Sequence, residues 1–293
     1  MRVAVTGGNG FVGSHVVRAL AAAGHDVVVI ARGTRTPPRT QHVSFVPADV
    51  TDGSGLSEAF AGCQAVIHLV AIVRERRKLT FDLVNHVGSE RVAEAAREAG
   101  VQHLIHQSAN GAAPDPAYPY LLSKWAGEEA AIGSGVPFTV LRPSLIFGPG
   151  DGFFTLLARL IRLTPVTVVA GDGSALFQPI SIDDVTRCML IALERGPSHG
   201  VHTIGGPEHL SYDEIVDIIK GALGAHRFTV HLPVPLVMPA AFLMQTLLPR
   251  PPVTLDQLQM LKLNNITRLD SVPSMFGFEP LSFRGNADYL QDY

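Results

Sequence analysis

The stretch Arg2-Val3-Ala4-Val5-Thr6-Gly7-Gly8-Asn9-Gly10-Phe11-Val12-Gly13-Ser14 decides the fold. Val3, Ala4 and Val5 read as a short buried strand. Phe11, Val12, Val16, Val17 and Leu20 recur with helical spacing. The glycines between them let the backbone turn sharply and approach a ligand with no side chain in the way. Amides at the start of the new helix then face a pyrophosphate. A Gly-x-Gly-x-x-Gly pattern is weak alone and strong in this strand-turn-helix setting. The dinucleotide-binding residues expected here are Gly7, Asn9, Gly10, Phe11, Val12 and Gly13.

Strand and helix signals keep alternating beyond this point. Asp26–Ala31, Val43–Val46, Ala65–Val70, His103–Gln107 and Phe138–Leu141 read as strands, and Phe81–Ala99 and Tyr120–Ile132 as helices. Apolar runs separated by helices predict an α/β fold with a doubly wound parallel sheet. Helical patterns return at Phe153–Leu163, Asp183–Leu193 and Tyr212–Leu223, whereas from Leu232 the chain reads as proline-rich and irregular. The expected division is a nucleotide-binding domain over 1–150 and a smaller C-terminal lobe over 151–293, partly interleaved with the main sheet.

The chain of 293 residues suits this arrangement. A net charge of −3 leaves no nucleic-acid footprint. Cys63 and Cys188 lie far apart without metal-ligand spacing, so no disulfide framework or zinc site is expected and a reducing compartment is the simpler reading. The histidines give no metal set either: His103 and His106 point to opposite faces of one strand. The first strand begins at Arg2, leaving no room for a signal peptide, and no apolar run is long enough to span a bilayer. A cytoplasmic protein is expected.

An NAD site calls for an acid about twenty residues after the glycine loop, on the ribose 2′-hydroxyl. The second strand ends instead in Ile30-Ala31-Arg32. A guanidinium at Arg32, helped by Arg35 or Arg39, could pair with a 2′-phosphate, which favours NADP(H). As an ordinary solvated loop residue, Arg32 would leave NAD(H) open. Asp49 and Val50 are placed to border the adenine.

Tyr120 and Lys124 stand four apart on a helix, hence on one face. Pro119 suits the first turn of that helix. A phenol with a free pKa of about 10 is a poor proton donor or acceptor at neutral pH, and a nearby ammonium lowers that value. Ser108 ends the fifth strand at the edge where ligands bind, with a hydroxyl suited to a substrate oxygen.

Together these motifs resemble the short-chain dehydrogenases/reductases of the extended or atypical kind, the NAD-dependent epimerase/dehydratase family. The resemblance runs through Thr6-Gly7-x-x-Gly10-x-x-Gly13, Asp49-Val50, His68-Leu69-Val70-Ala71, Asn85 with Gly88, Ser108-Ala109, Tyr120-x-x-x-Lys124, Leu141-Arg142-Pro143, Phe147–Asp151, Gln178-Pro179-Ile180, Asp183-Asp184-Val185 and Gly205-Gly206-Pro207. It implies a Rossmann sheet, a catalytic triad of Ser108, Tyr120 and Lys124, and cofactor contacts from Leu69, Val70, Ala71, Lys124 and Pro143. Val73–Arg77 and Leu248–Gln257 look closest to the branch of the NADPH-binding accessory subunit of mitochondrial complex I and its bacterial relatives. Two functions follow as expectations. One is an oxidoreductase, NADPH preferred, acting on a carbonyl, quinone-related or sugar-like small molecule. The other is a non-catalytic NADPH-holding structural or redox-sensing subunit of a respiratory or quinone-related complex.

Two stretches remain. Arg74, Arg76, Arg77 and Lys78 form either a solvated loop or an anion-binding rim. Val234–Leu248 is unusually apolar, broken by Pro239 and too short to span a bilayer. It either packs on the core or lines the cleft, or serves a peripheral membrane or partner contact.

Overall fold

A computed structural model of the protein describes residues 1–33, 42–76, 78–248 and 254–293. Arg35, Arg39 and Arg77 lie outside the described residues. By contacts the chain divides into two compact units, Met1–Pro143 with Ile182–Thr203, and Ser144–Ser181 with Ile204–Tyr293. Where the sequence reading separates 1–150 from 151–293, this division breaks first after Pro143 and returns Ile182–Thr203 to the first unit.

The first unit runs through β1 (Arg2–Thr6), α1 (Phe11–Ala22), β2 (Asp26–Ala31), β3 (Val43–Pro47), α2 (Leu56–Phe60), β4 (Ala65–His68), a π-helical turn (Asp82–Val87), α3 (Gly88–Glu98), β5 (His103–Gln107), α4 (Pro119–Gly133) and β6 (Phe138–Pro143). The chain continues through β7 (Ile146–Phe147), α5 (Phe154–Leu163), β8 (Val166–Ala170), β9 (Leu176–Phe177) and β10 (Ile180–Ser181). Next come α6 (Ile182–Arg195) and β11 (Val201–Ile204), then β12 (Leu210–Ser211), α7 (Tyr212–Leu223), β13 (Phe228–Leu232), α8 (Val234–Leu247), α9 (Leu255–Met260) and α10 (Ser271–Phe276).

The main sheet has the order β11-β6-β5-β4-β1-β2-β3, and β1 to β6 pair in parallel. Val3 to Val5, Val27 to Ile30 and Ala65 to Ile67 are fully buried, as parallel strands covered on both faces must be. Helix α1 buries Gly13, Val16, Val17 and Leu20, one stripe at helical spacing. The strand order reverses between β1 and β4, and a crevice for ligands opens outside the carboxyl ends of strands at such a reversal. Thr6 and His68 are the last paired residues there.

Three local expectations change. The fourth strand stops at His68, not Val70: the Leu69 amide makes the last bond across to β1, at the Thr6 carbonyl, and shares it with the Thr6 hydroxyl. The helix expected over Phe81–Ala99 begins as a π-helical turn and becomes α-helical only at Gly88. Val234–Leu247 is one continuous helix with Pro239 inside it, not a broken irregular stretch. Pro235 sits in its first turn, where a missing N–H costs nothing. Pro239 removes one ladder bond, and the helix continues on both sides of it.

The second unit has its own aromatic core of Phe147, Phe154 and Phe283, with ring centroids 4.6 Å apart for Phe154 and Phe283. Gln178 is buried and ties three segments together. Its Nε2 donates to the Gly206 carbonyl at 2.7 Å and its Oε1 accepts from the Thr267 amide at 2.6 Å. Helix α7 starts in a capping box of Ser211 and Glu214 and ends at Gly224, with φ of 60°. No helix among the described residues is long and apolar enough to cross a membrane.

Helix α4 approaches the π-helical turn so closely that a Cβ on Gly127 would lie 2.2 Å from the Asn85 carbonyl and 2.8 Å from Ser89 Oγ. Gly133, on the same helix, faces open space. Gly127→Ala is expected to destabilise the protein by about 1–3 kcal/mol through overpacking. Gly133→Ala should stabilise it by about 0.5–1 kcal/mol through helix propensity. Thermal unfolding of the two variants reads the opposite signs.

Candidate active site

The glycine turn is built on contact distances. Gly7 has φ of 73°, a left-handed conformation. A Cβ on Gly13 would lie 2.2 Å from the Gly7 carbonyl oxygen. Helix α1 carries no side-chain cap, so its first-turn amides are left for an anion. Beside this turn lies a cavity of about 180 Å³ lined by Thr6, Gly7, Ile30, Ala31, Arg32, Ala48, Val50, Thr51, Val70, Ala71, Ile72 and Val84. These side chains are mostly apolar, and the one guanidinium is Arg32 just past β2. A pyrophosphate on the α1 amides with an adenosine end in this cavity fits the residues present.

The sequence-derived residues divide accordingly. Gly7, Arg32, Val50, Val70 and Ala71 line the cavity. Asn9, Gly10, Phe11, Val12 and Gly13 form the turn and the helix start. Asp49 is not a lining residue: its Oδ1 accepts from the Thr51 amide at 2.8 Å and the Thr51 hydroxyl at 2.7 Å, closing a local turn. Leu69 is held on Thr6. Pro143 accepts from the Asn110 amide at 2.9 Å and so fixes the loop after β5. A larger open cavity, of about 810 Å³, lies in the second unit and is lined by none of the sequence-derived residues of the first. The glycine turn and the strand reversal coincide at the smaller one.

Sequence reasoning missed the hydrogen-bond network beneath the crevice. Thr6 Oγ1 donates to His68 Nδ1 at 2.7 Å, and His68 Nε2 lies 3.0 Å from Ser89 Oγ, which itself donates to the Asn85 carbonyl at 2.7 Å. That order assigns His68 as the neutral Nε2–H tautomer. Burial, with a smaller push from Lys124, pulls its pKa down to about 3. Asn85 clamps the loop lining the cavity: its Oδ1 accepts from the Ile72 amide at 2.8 Å and its Nδ2 donates to the Ile72 carbonyl and to Ser123 Oγ, both at 3.0 Å. Ser123 in turn donates to the Tyr120 carbonyl at 2.7 Å. A buried Asn just before α3 was the available signal.

Ser108, Tyr120 and Lys124 all belong to the first unit. Lys124 is buried, and its Nζ donates to the Gln107 carbonyl at 2.6 Å, one residue before Ser108. The Tyr120–Lys124 face of α4 is thereby tied to the end of β5. Ser108 is buried and its Oγ has no hydrogen-bond partner among the described residues. Tyr120 packs edge-on against Phe81, with centroids 5.7 Å apart. One turn after Lys124, the buried Glu128 takes a bidentate pair from Arg142 at 2.7 and 2.8 Å. Burial pulls the Lys124 pKa down to about 8, while Glu128 holds it up. The expectation that Lys124 lowers the Tyr120 pKa is not met: burial pushes that phenol up to about 12.

The basic run after β4 is less uniform than its sequence suggests. Glu75 Oε1 accepts from the Phe81 amide at 2.8 Å and caps the helical segment that follows. Arg76 and Lys78 are exposed, and Arg74 is half-buried, its pKa lowered by burial and by Arg76.

The family model for the NAD dependent epimerase/dehydratase family matches residues 3–205. The chain belongs to that family. Its members are NAD(P)-dependent oxidoreductases and epimerases, and a nicotinamide dinucleotide is the cofactor class that the glycine turn serves. Ceramide reductase of Caulobacter vibrioides is 33% identical, over 82% of this chain and 76% of that protein. Subunit 9 of the NADH dehydrogenase [ubiquinone] 1 alpha subcomplex, mitochondrial, from Arabidopsis thaliana is 28% identical, over 90% of this chain and 68% of its own length. The UDP-glucose 4-epimerase of Thermus thermophilus, solved with NAD, shares the fold with a TM-score of 0.75, at 24% identity and covering 100% of this chain and 98% of its own.

Asn85→Ala leaves both backbone groups of Ile72 without their partner. The variant is expected to lose about 1–3 kcal/mol of stability and to bind the dinucleotide more weakly, since Ile72 and its two preceding residues line the cavity. Urea unfolding and dinucleotide fluorescence titration check the two effects.

Proposed function

We propose that the protein is an NADP(H)-preferring reductase of a small apolar carbonyl compound, with Ser108, Tyr120 and Lys124 as its catalytic residues. The observation that carries this reading is the unpartnered, buried Ser108 hydroxyl, one residue beyond the carbonyl that anchors Lys124. Buried hydroxyls normally have partners, and a substrate oxygen is the group this one lacks.

Bound, the nicotinamide supplies the hydride. Ser108 Oγ donates a hydrogen bond to the carbonyl oxygen. Tyr120 Oη gives its proton to the same oxygen as the C=O double bond becomes a single bond. Because burial holds this phenol near 12, it is protonated at neutral pH, the state that reduction needs. The Lys124 ammonium, one turn along the helix, lowers the cost of the phenolate left behind. NADP(H) preference rests on Arg32, an exposed guanidinium at the cavity margin where an acid would otherwise meet the 2′-hydroxyl. Likeness to a ceramide reductase supports an apolar substrate over a sugar.

Tyr120→Phe is expected to lower turnover about 100-fold or more with NADPH affinity unchanged. Carbonyl reduction in the parent protein should decline as pH rises through about 8, because Lys124 loses its proton there. Arg32→Ala should weaken NADPH binding about tenfold or more, the worth of one charged hydrogen bond, and leave NADH binding nearly unchanged. Equal losses for both dinucleotides would remove the NADP(H) preference.

The second reading, a non-catalytic NADPH-holding subunit, draws support from the likeness to the Arabidopsis complex I subunit over most of the chain. It gains ground if purified protein carries NADPH through gel filtration and turns over no ketone or quinone in a broad panel. Turnover abolished by Tyr120→Phe removes it.

A further inference from the structure

Helix α4 buries Lys124, Gly127, Glu128 and Ala131, one stripe at helical spacing. Two of these residues carry opposite charges one turn apart. Lys124 is 3% exposed and Glu128 1%, a depth at which charged side chains are rare unless paired. Each is held on a different strand. Lys124 Nζ donates to the Gln107 carbonyl at the end of β5. Glu128 accepts from Arg142 Nε at 2.8 Å and from its terminal nitrogen at 2.7 Å, near the end of β6. Strands β5 and β6 are neighbours, with Gln107 opposite Leu141. The stripe is thus fastened to two adjacent strand ends by two charged contacts, and Tyr120 stands one turn before the first.

Glu128 acts on Lys124 along the helix: its carboxylate is the charge that raises the lysine pKa against the pull of burial. The other groups packed here are neutral. His68 on β4 and His106 opposite it on β5 are kept unprotonated by burial and by Lys124 itself. Tyr120 is held protonated by burial. The π-helical turn and α3 meet α4 with Asn85 and Ser89. An ammonium in such a setting keeps its proton only as far as a carboxylate compensates for the lost water. Arg142 limits that compensation, because a guanidinium bonded to both carboxylate oxygens offsets part of their field.

We propose that Glu128 and Arg142 are positioning residues for Lys124, Glu128 keeping its ammonium charged one turn from Tyr120 and Arg142 setting how much of that carboxylate the lysine feels. The proposal rests on the catalytic reading only for the use made of that charge. Without Glu128, a midpoint of about 7 would leave about half the lysines uncharged at neutral pH.

The test reads Lys124 directly and needs no turnover. The chain has four lysines, Lys78, Lys124, Lys220 and Lys262. The full chain is labelled with carbon-13 at the lysine ε-carbons and titrated by NMR, with Lys124→Met assigning the signal. The parent midpoint is expected near 8. Glu128→Gln keeps the shape and an acceptor for Arg142, and should lower the midpoint by about one pH unit or more. Arg142→Met should raise it by about half a unit or more. Glu129→Gln removes the same charge from an exposed position of α4 and should leave it within about 0.2 units. Thermal unfolding confirms that each variant folds. Should Glu128→Gln not fold, the double variant Glu128→Gln, Arg142→Gln takes its place and should titrate below the parent by a smaller step. The proposal is overturned by a Glu128→Gln or double-variant midpoint equal to or above the parent's, by an Arg142→Met midpoint below it, or by an equal shift in Glu129→Gln. Failure to reduce any ketone would remove the catalytic reading and leave these midpoints as they are.

Discussion

A Cβ at position 13 would stand 2.2 Å from the Gly7 carbonyl oxygen, well inside van der Waals contact. Helix α1 can therefore start directly on the turn after β1 only if residue 13 has no side chain. That close approach sets where the first-turn amides point and, with Gly7 in its left-handed conformation, where β1 releases the chain. The strand reversal between β1 and β4 opens the crevice at the same place. Thr6 and His68 then join the two strand ends by a hydrogen bond between neutral groups.

Helix α4 depends on a second close approach, at Gly127. With α4 pressed onto the π-helical turn, Asn85 reaches both Ile72 and Ser123, and the cavity wall and the Tyr120–Lys124 face become one hydrogen-bonded piece. Lys124 finds the Gln107 carbonyl, and Glu128 finds Arg142. An unpartnered buried polar group costs about 1–3 kcal/mol, and at the carboxyl end of β5 both ring nitrogens of His106, Gln107 Oε1 and Ser108 Oγ are all without a partner among the described residues.

The chemistry of the tyrosine shows how burial can override a neighbour. From spacing alone, an ammonium one turn away lowers the phenol pKa. In the folded chain Lys124 is itself desolvated and turned to a backbone carbonyl, and burial of the phenol dominates. The consequence is a protonated tyrosine, which favours proton donation over proton abstraction. A comparable reversal occurs in α8: proline content argued for irregular chain, but one proline in the first turn and one missing ladder bond leave a helix of strong helix formers intact.

Much of the first unit was legible because its signals are local. A parallel strand buried on both faces must be apolar throughout, a helix on the sheet must repeat its apolar residues every three or four positions, and a turn under a pyrophosphate must be glycine; Val3–Val5, Val16–Leu20 and Gly7–Gly13 satisfy these rules within a few residues of one another. The family followed from those motifs in order. What only the tertiary structure decided are relations between residues distant in sequence: the Asn85 clamp on Ile72, the Glu128–Arg142 pair, the local turn that occupies Asp49, and the outward apolar stripe of α8. Period and composition report which face of an element is apolar, but not whether a neighbour covers it, nor how far burial moves a proton equilibrium; those follow from which side chains the fold brings into contact.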